Sequence, residues 1–294
     1  MTTAMDTAQK TTQQIVIEPP RGWQPLSARE LWGYREMIWR LTLRDIKSRY
    51  KQSVLGPTWV ILIPLAQAGI FSLIFGALAG FPSGDIPYPV FVFAGMVVWS
   101  LFSRGFQQTG QSISANENLI TKVYFPRLVA PIAALGGSII DFALGIVILS
   151  VLLLITGVAV PWTVIFAPLY VAFAMLCAIG VGIWIAAFSV KFRDLRYATP
   201  FLVQIMMWMT PVAWSSQILF ENDRLGPTLQ RALEIAFQLN PLFVAVDGFR
   251  WAVTGYIYGQ PTIYTAVSVA LTLLVSVTGL MYFRRIDATV ADVI

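Results

Sequence analysis

The chain has 294 residues, of which 57% are hydrophobic and 12% are charged. That charged share is about half the share in an ordinary soluble domain, so this composition cannot build a surface solvated by water. The formal net charge of +5 would suggest a nucleic-acid partner in a soluble protein. Here the basic residues cluster beside apolar runs, a pattern typical of membrane topology and lipid headgroups. We therefore predict an all-α integral membrane protein with no nucleic-acid partner.

The N-terminal segment, residues 1–26, is polar. It contains Asp6 and Glu18 and has no apolar core after a basic cap, which is unlike a signal peptide. Its polarity predicts that the segment is disordered.

Residues 27–52 predict an amphipathic helix in the cytoplasmic membrane interface. Ser27 and Glu30 have the spacing of a capping box. At about 100° per residue, one side of the helix is apolar and the opposite side is basic. The apolar side holds Leu31, Trp32, Tyr34, Ile38, Trp39, Leu41 and Ile46, and the basic side holds Arg29, Arg40, Arg44, Lys47 and Lys51. The helix either anchors the chain alone or also gates it or holds an anionic lipid headgroup.

The rest of the chain, residues 53–294, predicts a six-span transmembrane domain. Charge-free stretches of about 20 residues match a hydrocarbon core of about 30 Å. The charge-free stretch 142–190 is too long for one span, and Thr156-Gly157 followed by Pro161 predicts the turn that divides it. The predicted spans are 58–79, 88–110, 131–155, 163–190, 198–219 and 262–283.

The distribution of lysine and arginine predicts the orientation of these spans. Sixteen of the 20 basic residues lie before the first span, in the connections 111–130 and 191–197, or in the C-terminal tail. The positive-inside rule places these segments, and with them both termini, in the cytoplasm. An even number of spans requires both termini on the same side.

The connection between spans five and six, about residues 222–260, is more than a linker. It carries Asn240-Pro241 and then a moderately apolar stretch with Asp247 and Arg250. This stretch is too short and too charged for a seventh span, so we predict short re-entrant or interfacial helices on the external side. Asp247 and Arg250 are three residues apart on a helix, and we expect them to pair with each other.

Two ionisable residues, Arg104 and Asp141, lie inside predicted spans. An ionised side chain at the bilayer centre costs about 2.5 to 3.5 kcal/mol, so each should face protein or water. The small residues Gly136-Gly137-Ser138 precede Asp141 and permit close helix contact. The favoured interpretation is a packing pair between Arg104 and Asp141, and the alternative is direct contact with a substrate.

Aromatic and sulfur-containing side chains crowd the fifth span and its end: Met206, Met207, Trp208, Met209 and Trp214. Such residues commonly face lipid or the membrane interface, although aromatic faces also stack on sugar rings. Pro64 and Pro211 interrupt spans one and five, where a broken helix can line a passage.

The sequence offers no catalytic machinery. It has no G-x-x-x-x-G-K-[ST] phosphate loop, so ATP hydrolysis by that route requires another subunit. It has no histidine and a single cysteine, Cys177, which argues against triad and metalloprotease chemistry. A membrane-embedded glycosyltransferase or acyltransferase is also disfavoured, because neither histidine nor an Asp-x-Asp pair is present. We predict a transport subunit that is not an enzyme and binds no cofactor or metal.

Four separated segments together resemble one family. They are LRDIKSRYKQSVLGPTW from Leu43, ENLITKVYFPRLVAP from Glu117, KFRDLRYATPFLVQ from Lys191 and LNPLFVAVDGFRWAVTG from Leu239. From about Leu31 to its C-terminus, the chain resembles the membrane subunits of polysaccharide-exporting ABC transporters, the O-antigen, teichoic acid and capsule group.

The resemblance implies a partner set and a substrate class. Two copies of the six-span chain would form a pore in the bacterial inner membrane, and two separate ATPase subunits carrying ATP and Mg²⁺ would dock beneath it. The substrate would be a polysaccharide on a polyprenyl diphosphate lipid. Export of another lipid-linked or hydrophobic substrate, including drugs, by the same architecture is the alternative.

The resemblance also implies roles for particular residues. The coupling helix that enters the ATPase cleft would span about 114–127 and contact it through Asn118, Leu119, Ile120, Lys122, Val123, Tyr124, Phe125 and Arg127. The substrate headgroup would meet Arg40, Arg44, Lys47 and Arg49. Channel and gate residues would be Trp59, Phe71, Trp99, Arg104, Asp141, Trp208, Trp214, Asp247, Arg250 and Tyr256. The apolar residues of the coupling segment would need a partner, because they lie on the watery side.

Overall fold

The computed structural model describes residues 28–51, 56, 58–123, 125–192, 194–220, 226–255 and 262–293. Within these ranges every regular element is a helix, which confirms the all-α prediction. The helices are α1 Ala28–Gly33, α2 Arg35–Tyr50, α3 Thr58–Phe71, α4 Tyr88–Ala115, α5 Glu117–Ile120, α6 Val129–Thr156, α7 Ala167–Ser189, α8 Leu195–Trp208, α9 Gln217–Phe220, α10 Pro227–Leu239, α11 Pro241–Thr254 and α12 Ile263–Val293. A π-helical segment, Ser72–Leu78, continues α3, and a 3-10 turn, Trp162–Phe166, leads into α7.

Five helical stretches in the described part of the chain are long and apolar enough to cross a bilayer. They are Thr58–Leu78, Tyr88–Ala115, Val129–Thr156, Trp162–Ser189 and Ile263–Arg285. These stretches correspond to predicted spans one to four and six. Helices α10 and α11 pass the same test as a pair bent by 81°, which gives up to six crossings if the pair is counted as one. The bend agrees with the predicted re-entrant or interfacial helices.

The fifth predicted span, residues 198–219, is shorter as a helix than expected. Helix α8 has 14 residues, which gives about 21 Å, less than a hydrocarbon core of about 30 Å. It ends at Trp208 because Pro211 lacks an amide hydrogen and disfavours helical backbone at Thr210. The chain then turns before α9. Pro64, by contrast, lies inside α3 without ending it.

The turn predicted after the third span is present. Gly157 ends α6 with a φ of +70°, in the left-handed region that a glycine adopts without strain. Pro161 then precedes the 3-10 turn at Trp162.

Helix α4 forms the centre of the described fold. Of its apolar window, 83% is buried, and it packs against α6 and α7, while α12 packs against α7. Helix α3 lies at the edge against α4 and α6, and 6% of its apolar window is buried. Its exposed side chains therefore face lipid or another protein.

The predicted amphipathic helix is divided in two at Tyr34, and its second part, α2, packs along the first turns of α6. Thr42 Oγ1 donates a hydrogen bond to the carbonyl of Ala133 at 2.9 Å. Gly136 makes this approach possible, since a Cβ there would overlap with Thr42. Ser27, the predicted cap, lies outside the described residues. Helix α2 is therefore joined to α6, the third predicted span.

Candidate functional site

A cluster of three charged side chains joins α2, α4 and α6. Asp141 Oδ2 accepts hydrogen bonds from Arg49 Nη1 at 2.7 Å and from Arg104 Nη1 at 2.8 Å. The Asp141 side chain is 6% exposed, and those of Arg49 and Arg104 are 30% and 25% exposed. The predicted pair of Arg104 with Asp141 is confirmed. Arg49, assigned by resemblance to a substrate headgroup, is a second partner of the same carboxylate.

The cluster lies beside the first turns of α3. Val60 and Pro64 of α3 line one small cavity together with Arg104 and Asp141. Asp141 is near the middle of α6, within the apolar stretch Val129–Thr156. The cavity of about 20 Å³ has room for about one water molecule and not for a sugar ring.

Gln108 extends this cluster on α4. With its amide turned to satisfy both of its polar atoms, Gln108 accepts a hydrogen bond from Arg49 Nη2 and donates one to the carbonyl of Ala134, each at 2.8 Å. A Cβ on Gly137 would lie 3.0 Å from Arg49 Nη2, so the glycine leaves room for the guanidinium. Gln108 is not among the residues predicted from the sequence. Its position four residues after Arg104, on the same helix face, was the available signal.

The remaining basic residues of α2 do not converge with Arg49. Arg40 pairs with Glu36 at 2.6 Å on the surface. Arg44 pairs with Asp45 at 2.7 Å and also donates to Asn116 Oδ1 at 2.5 Å, at the end of α4. The side chain of Lys47 is exposed. The four predicted headgroup residues therefore lie in three places. Arg40 and Lys47 are at the surface, Arg44 contacts the start of the coupling segment, and Arg49 belongs to the ion cluster.

The segment predicted as the coupling helix contains one helical turn, α5, which follows directly after α4. Ile120 and Phe125 are 8% and 5% exposed, and they belong to a core cluster with Leu41, Ile113 and Phe283. The expectation that these two apolar side chains await a partner protein is wrong, because the chain buries them itself. They hold the segment against the membrane domain.

Other residues of the coupling segment remain available to a partner. Val123 is 48% exposed, Leu119 is half-buried beside the core cluster, and Asn118 and Lys122 are exposed. Arg127 is half-buried, and Tyr124 lies outside the described residues.

An open groove of about 630 Å³ separates α1 and α2 from α5. Its lining combines apolar and charged side chains: Gly33, Tyr34, Glu36, Met37, Arg40, Leu41, Arg44 and Leu119. Leu119 places the coupling segment at the edge of this groove.

Two predicted channel residues meet where the end of α3 approaches the end of α8. The rings of Phe71 and Trp208 are 6.4 Å apart between centroids, in an edge-to-face arrangement. Trp208 is 55% exposed, and Trp59, earlier on α3, is 45% exposed. This pair leaves an aromatic surface open at the edge of the chain.

Two other predicted channel residues are enclosed by the chain. Trp99 is 5% exposed and packs on Phe102 with 5.5 Å between ring centroids. Trp214 is half-buried and packs edge-to-face on Phe237 at 5.5 Å. Trp99 therefore does not reach a surface that a passing molecule could touch in this conformation.

The predicted pair on helix α11 is present. Arg250 Nη1 donates to Asp247 Oδ1 at 3.1 Å, and the two residues are 0% and 8% exposed. Arg250 also reaches backbone carbonyls of α4 and of the turn after α8. Those contacts gave no sequence signal, because carbonyl acceptors are the same in every residue. Tyr256, the remaining predicted gate residue, lies outside the described residues.

The comparisons with known proteins agree with this architecture. Residues 36–254 match the family described as ABC-2 type transporter. The chain is 30% identical over 223 residues to the O-antigen export system permease protein RfbA of Myxococcus xanthus, covering 76% of this chain and 82% of that protein. An RfbA of the same description from Klebsiella pneumoniae is 25% identical, covering 86% of this chain and 93% of that protein. The polysialic acid transport protein KpsM of Escherichia coli is 28% identical, covering 83% of this chain and 91% of that protein. The chain belongs to the ABC-2 type transporter family, as a multi-pass membrane permease subunit that serves transport rather than catalysis.

Proposed function

We propose that this chain is the membrane subunit of an exporter that moves a lipid-linked polysaccharide, of the O-antigen or capsule type, across a bacterial inner membrane. Relatives named for O-antigen export and polysialic acid transport align with most of its length. The observation that carries the proposal is the open aromatic surface formed by Phe71 and Trp208 where spans one and five meet.

The shape of this surface suits a polymer that slides. Edge-to-face aromatic rings present flat apolar faces, and a sugar ring stacks on such a face without a fixed set of hydrogen bonds. Weak contacts of this kind let one repeat unit leave as the next arrives. The exposed sides of α3 and α8 would face the same surfaces of a second copy, so that two chains enclose the passage.

Partner ATPase subunits would supply the energy and carry ATP and Mg²⁺. The coupling segment supports this role, because Ile120 and Phe125 fix it to the membrane domain while Val123 stays exposed. A push on an anchored segment is transmitted to α4 and α6, which flank it in the chain. Two permease copies would require two such ATPases.

Headgroup recognition would begin transport at the face where α2 and the coupling segment meet. Arg40 and Arg44 line the groove beside α5, and Lys47 is exposed on the same helix. Guanidinium groups bind phosphate oxygens in a bidentate manner, so a diphosphate lipid is a suitable ligand for this face. With both termini in the cytoplasm, the face is cytoplasmic, as the positive-inside rule predicts.

A deletion strain tests the substrate class. Without this chain, an exporter of lipid-linked polysaccharide leaves the glycan inside the cell, on the lipid carrier, and none at the cell surface. Complementation with Trp208→Ala should restore less surface glycan than the native chain does. Leu154→Ala is the matched control, since Leu154 is 82% exposed on α6 and lies outside the aromatic surface. Normal surface glycan in the deletion strain, with loss of drug resistance instead, would support the efflux alternative and contradict the proposal.

Co-purification tests the partner. The tagged chain should retain an ATP-binding cassette subunit, and the ATPase activity of that complex should depend on Leu119 and Val123. If no such ATPase associates with the chain in native membranes, the proposed energy source is wrong.

A further inference from the structure

The turn that interrupts span five depends on side chains from other elements. Pro211 stops the helix, so the carbonyls of the turn lack the amide donors that a continuous helix would provide. Arg250 Nη2 donates to the carbonyl of Pro211 at 3.1 Å and to that of Val212 at 2.8 Å. One buried guanidinium from α11 thus satisfies two carbonyls of the interrupted span.

The neighbouring carbonyls of the turn are satisfied in the same way. Asn240, the residue that caps α11, donates to the carbonyl of Met209 at 3.2 Å. Tyr88, at the start of α4, donates its hydroxyl to the carbonyl of Ala213 at 2.8 Å. The turn is therefore held from two sides, by the external helix pair and by α4.

Arg250 is itself fixed on all sides. It is fully buried, Nε donates to the carbonyl of Phe91 at 3.1 Å, and Nη1 donates to Asp247 at 3.1 Å. The guanidinium carbon lies 3.7 Å from the centroid of the Phe91 ring, a cation–π contact. Gly95 of α4 makes room for it, because a Cβ there would overlap with Arg250 Nη2 and lie 2.8 Å from the Val212 carbonyl.

We propose that Arg250 is a positioning residue that fastens the external helix pair, α10 and α11, to the interrupted end of span five. Buried carbonyls and a buried charge that lose their partners are costly where water is excluded. A movement of α11 alone would break several of these contacts together, so the helix pair and the turn move as one body. Trp208 directly precedes the turn, and its place on the aromatic surface is set through Arg250.

The inference rests on the proposed function only for the role of the aromatic surface. Its test does not require the transported glycan. Trp208→Cys and Leu229→Cys place one spin label at the end of α8 and one on α10, in a Cys177→Ala background. Both native side chains are more than half exposed, so the labels should be tolerated. The distance between the labels is measured by electron paramagnetic resonance in the purified complex with its ATPase, resting and nucleotide-trapped.

Labelled chains are diluted with unlabelled ones, so that only the two labels within one chain are compared. In the otherwise native chain we then expect one narrow distance distribution that is the same in both states. Arg250→Met should broaden it. Tyr88→Phe should leave it narrow, since it removes a donor from α4 and keeps the link to α11. A distance that changes on nucleotide trapping, or an Arg250→Met distribution as narrow as the native one, would overturn the proposal.

Should Arg250→Met fail to assemble, Gly95→Ala disturbs the same guanidinium without removing its charge. Gly69→Ala on α3 is the matched control, because no atom lies within 4 Å of a Cβ built there. Broadening with Gly95→Ala and not with Gly69→Ala is the expected result. Equal, narrow distributions for both variants would overturn the proposal. Normal surface glycan in the deletion strain would instead overturn only the proposed function.

Discussion

Arg49, in the last turn of α2, and Asp141, in α6, form an ion pair with 2.7 Å between Nη1 and Oδ2. This pair fastens the end of α2 to α6, shortly before the first candidate span begins at Thr58. Arg104 binds the same carboxylate oxygen, so the three side chains carry one net positive charge. A displacement of α2 is therefore transmitted directly to two spans.

We expect loss of the shared carboxylate to lower the stability more than loss of one of its arginine partners. Asp141→Asn leaves two guanidiniums side by side without an anion, and we expect the free energy of unfolding to fall by about 1 to 3 kcal/mol. Arg49→Gln leaves a one-to-one pair of Arg104 with Asp141, and a loss of about 1 kcal/mol or less is expected. Thermal unfolding of the purified variants shows which substitution lowers the stability more.

The surface pair on the same helix serves as the control. Glu36→Gln removes the partner of Arg40 where both side chains are more than 70% exposed. The stability should change by about 0.5 kcal/mol or less. An Asp141→Asn variant as stable as Glu36→Gln would contradict a structural role for the cluster.

Arg44 combines a proposed role on the headgroup face with an observed contact with Asn116. Arg44→Ala removes both, whereas Asn116→Ala removes the contact and keeps the charge. We expect Arg44→Ala to reduce glycan export while the complex still assembles, and Asn116→Ala to reduce it less. Surface glycan and co-purified ATPase are measured in parallel. Export that is unchanged by Arg44→Ala would remove the headgroup role.

The coupling segment should separate into residues that anchor it and residues that contact a partner. Val123→Asp changes an exposed side chain, so we expect loss of ATPase association with little loss of stability. Ile120→Ala creates a cavity in the core cluster and should lower the free energy of unfolding by about 2 to 5 kcal/mol. Pull-down and thermal unfolding of both variants test this. Normal ATPase association of Val123→Asp would mean that the partner docks elsewhere.

Two tryptophans should behave in opposite ways. Trp99→Ala removes a buried ring and should lower the free energy of unfolding by about 3 to 5 kcal/mol. Trp208→Ala removes an exposed ring that contacts Phe71, so the chain should remain stable while export falls. The test compares the unfolding temperature with the amount of surface glycan. If the stability loss were larger for Trp208→Ala, this tryptophan would be a packing residue.

Much of this protein could be predicted from the sequence by itself. The low charged fraction and the apolar stretches determined an all-α membrane protein, because only closed hydrogen-bonded helices satisfy the backbone in lipid at such lengths. Gly157 and Pro161 determined the turn after Thr156, and the three-residue spacing on a helix determined the pair of Asp247 with Arg250. Each of these depends on residues close together in the chain, where composition and spacing carry the information.

The tertiary structure decided which side chains meet across the fold. Arg49 meets Asp141 although the two are 92 residues apart, and Arg250 meets carbonyls 38 and 39 residues earlier in the chain. The burial of Ile120 and Phe125 on a face expected to be open was decided in the same way. No local pattern encodes such contacts, because a backbone carbonyl has no residue identity and a buried charge takes its partner from whichever helix packs against it.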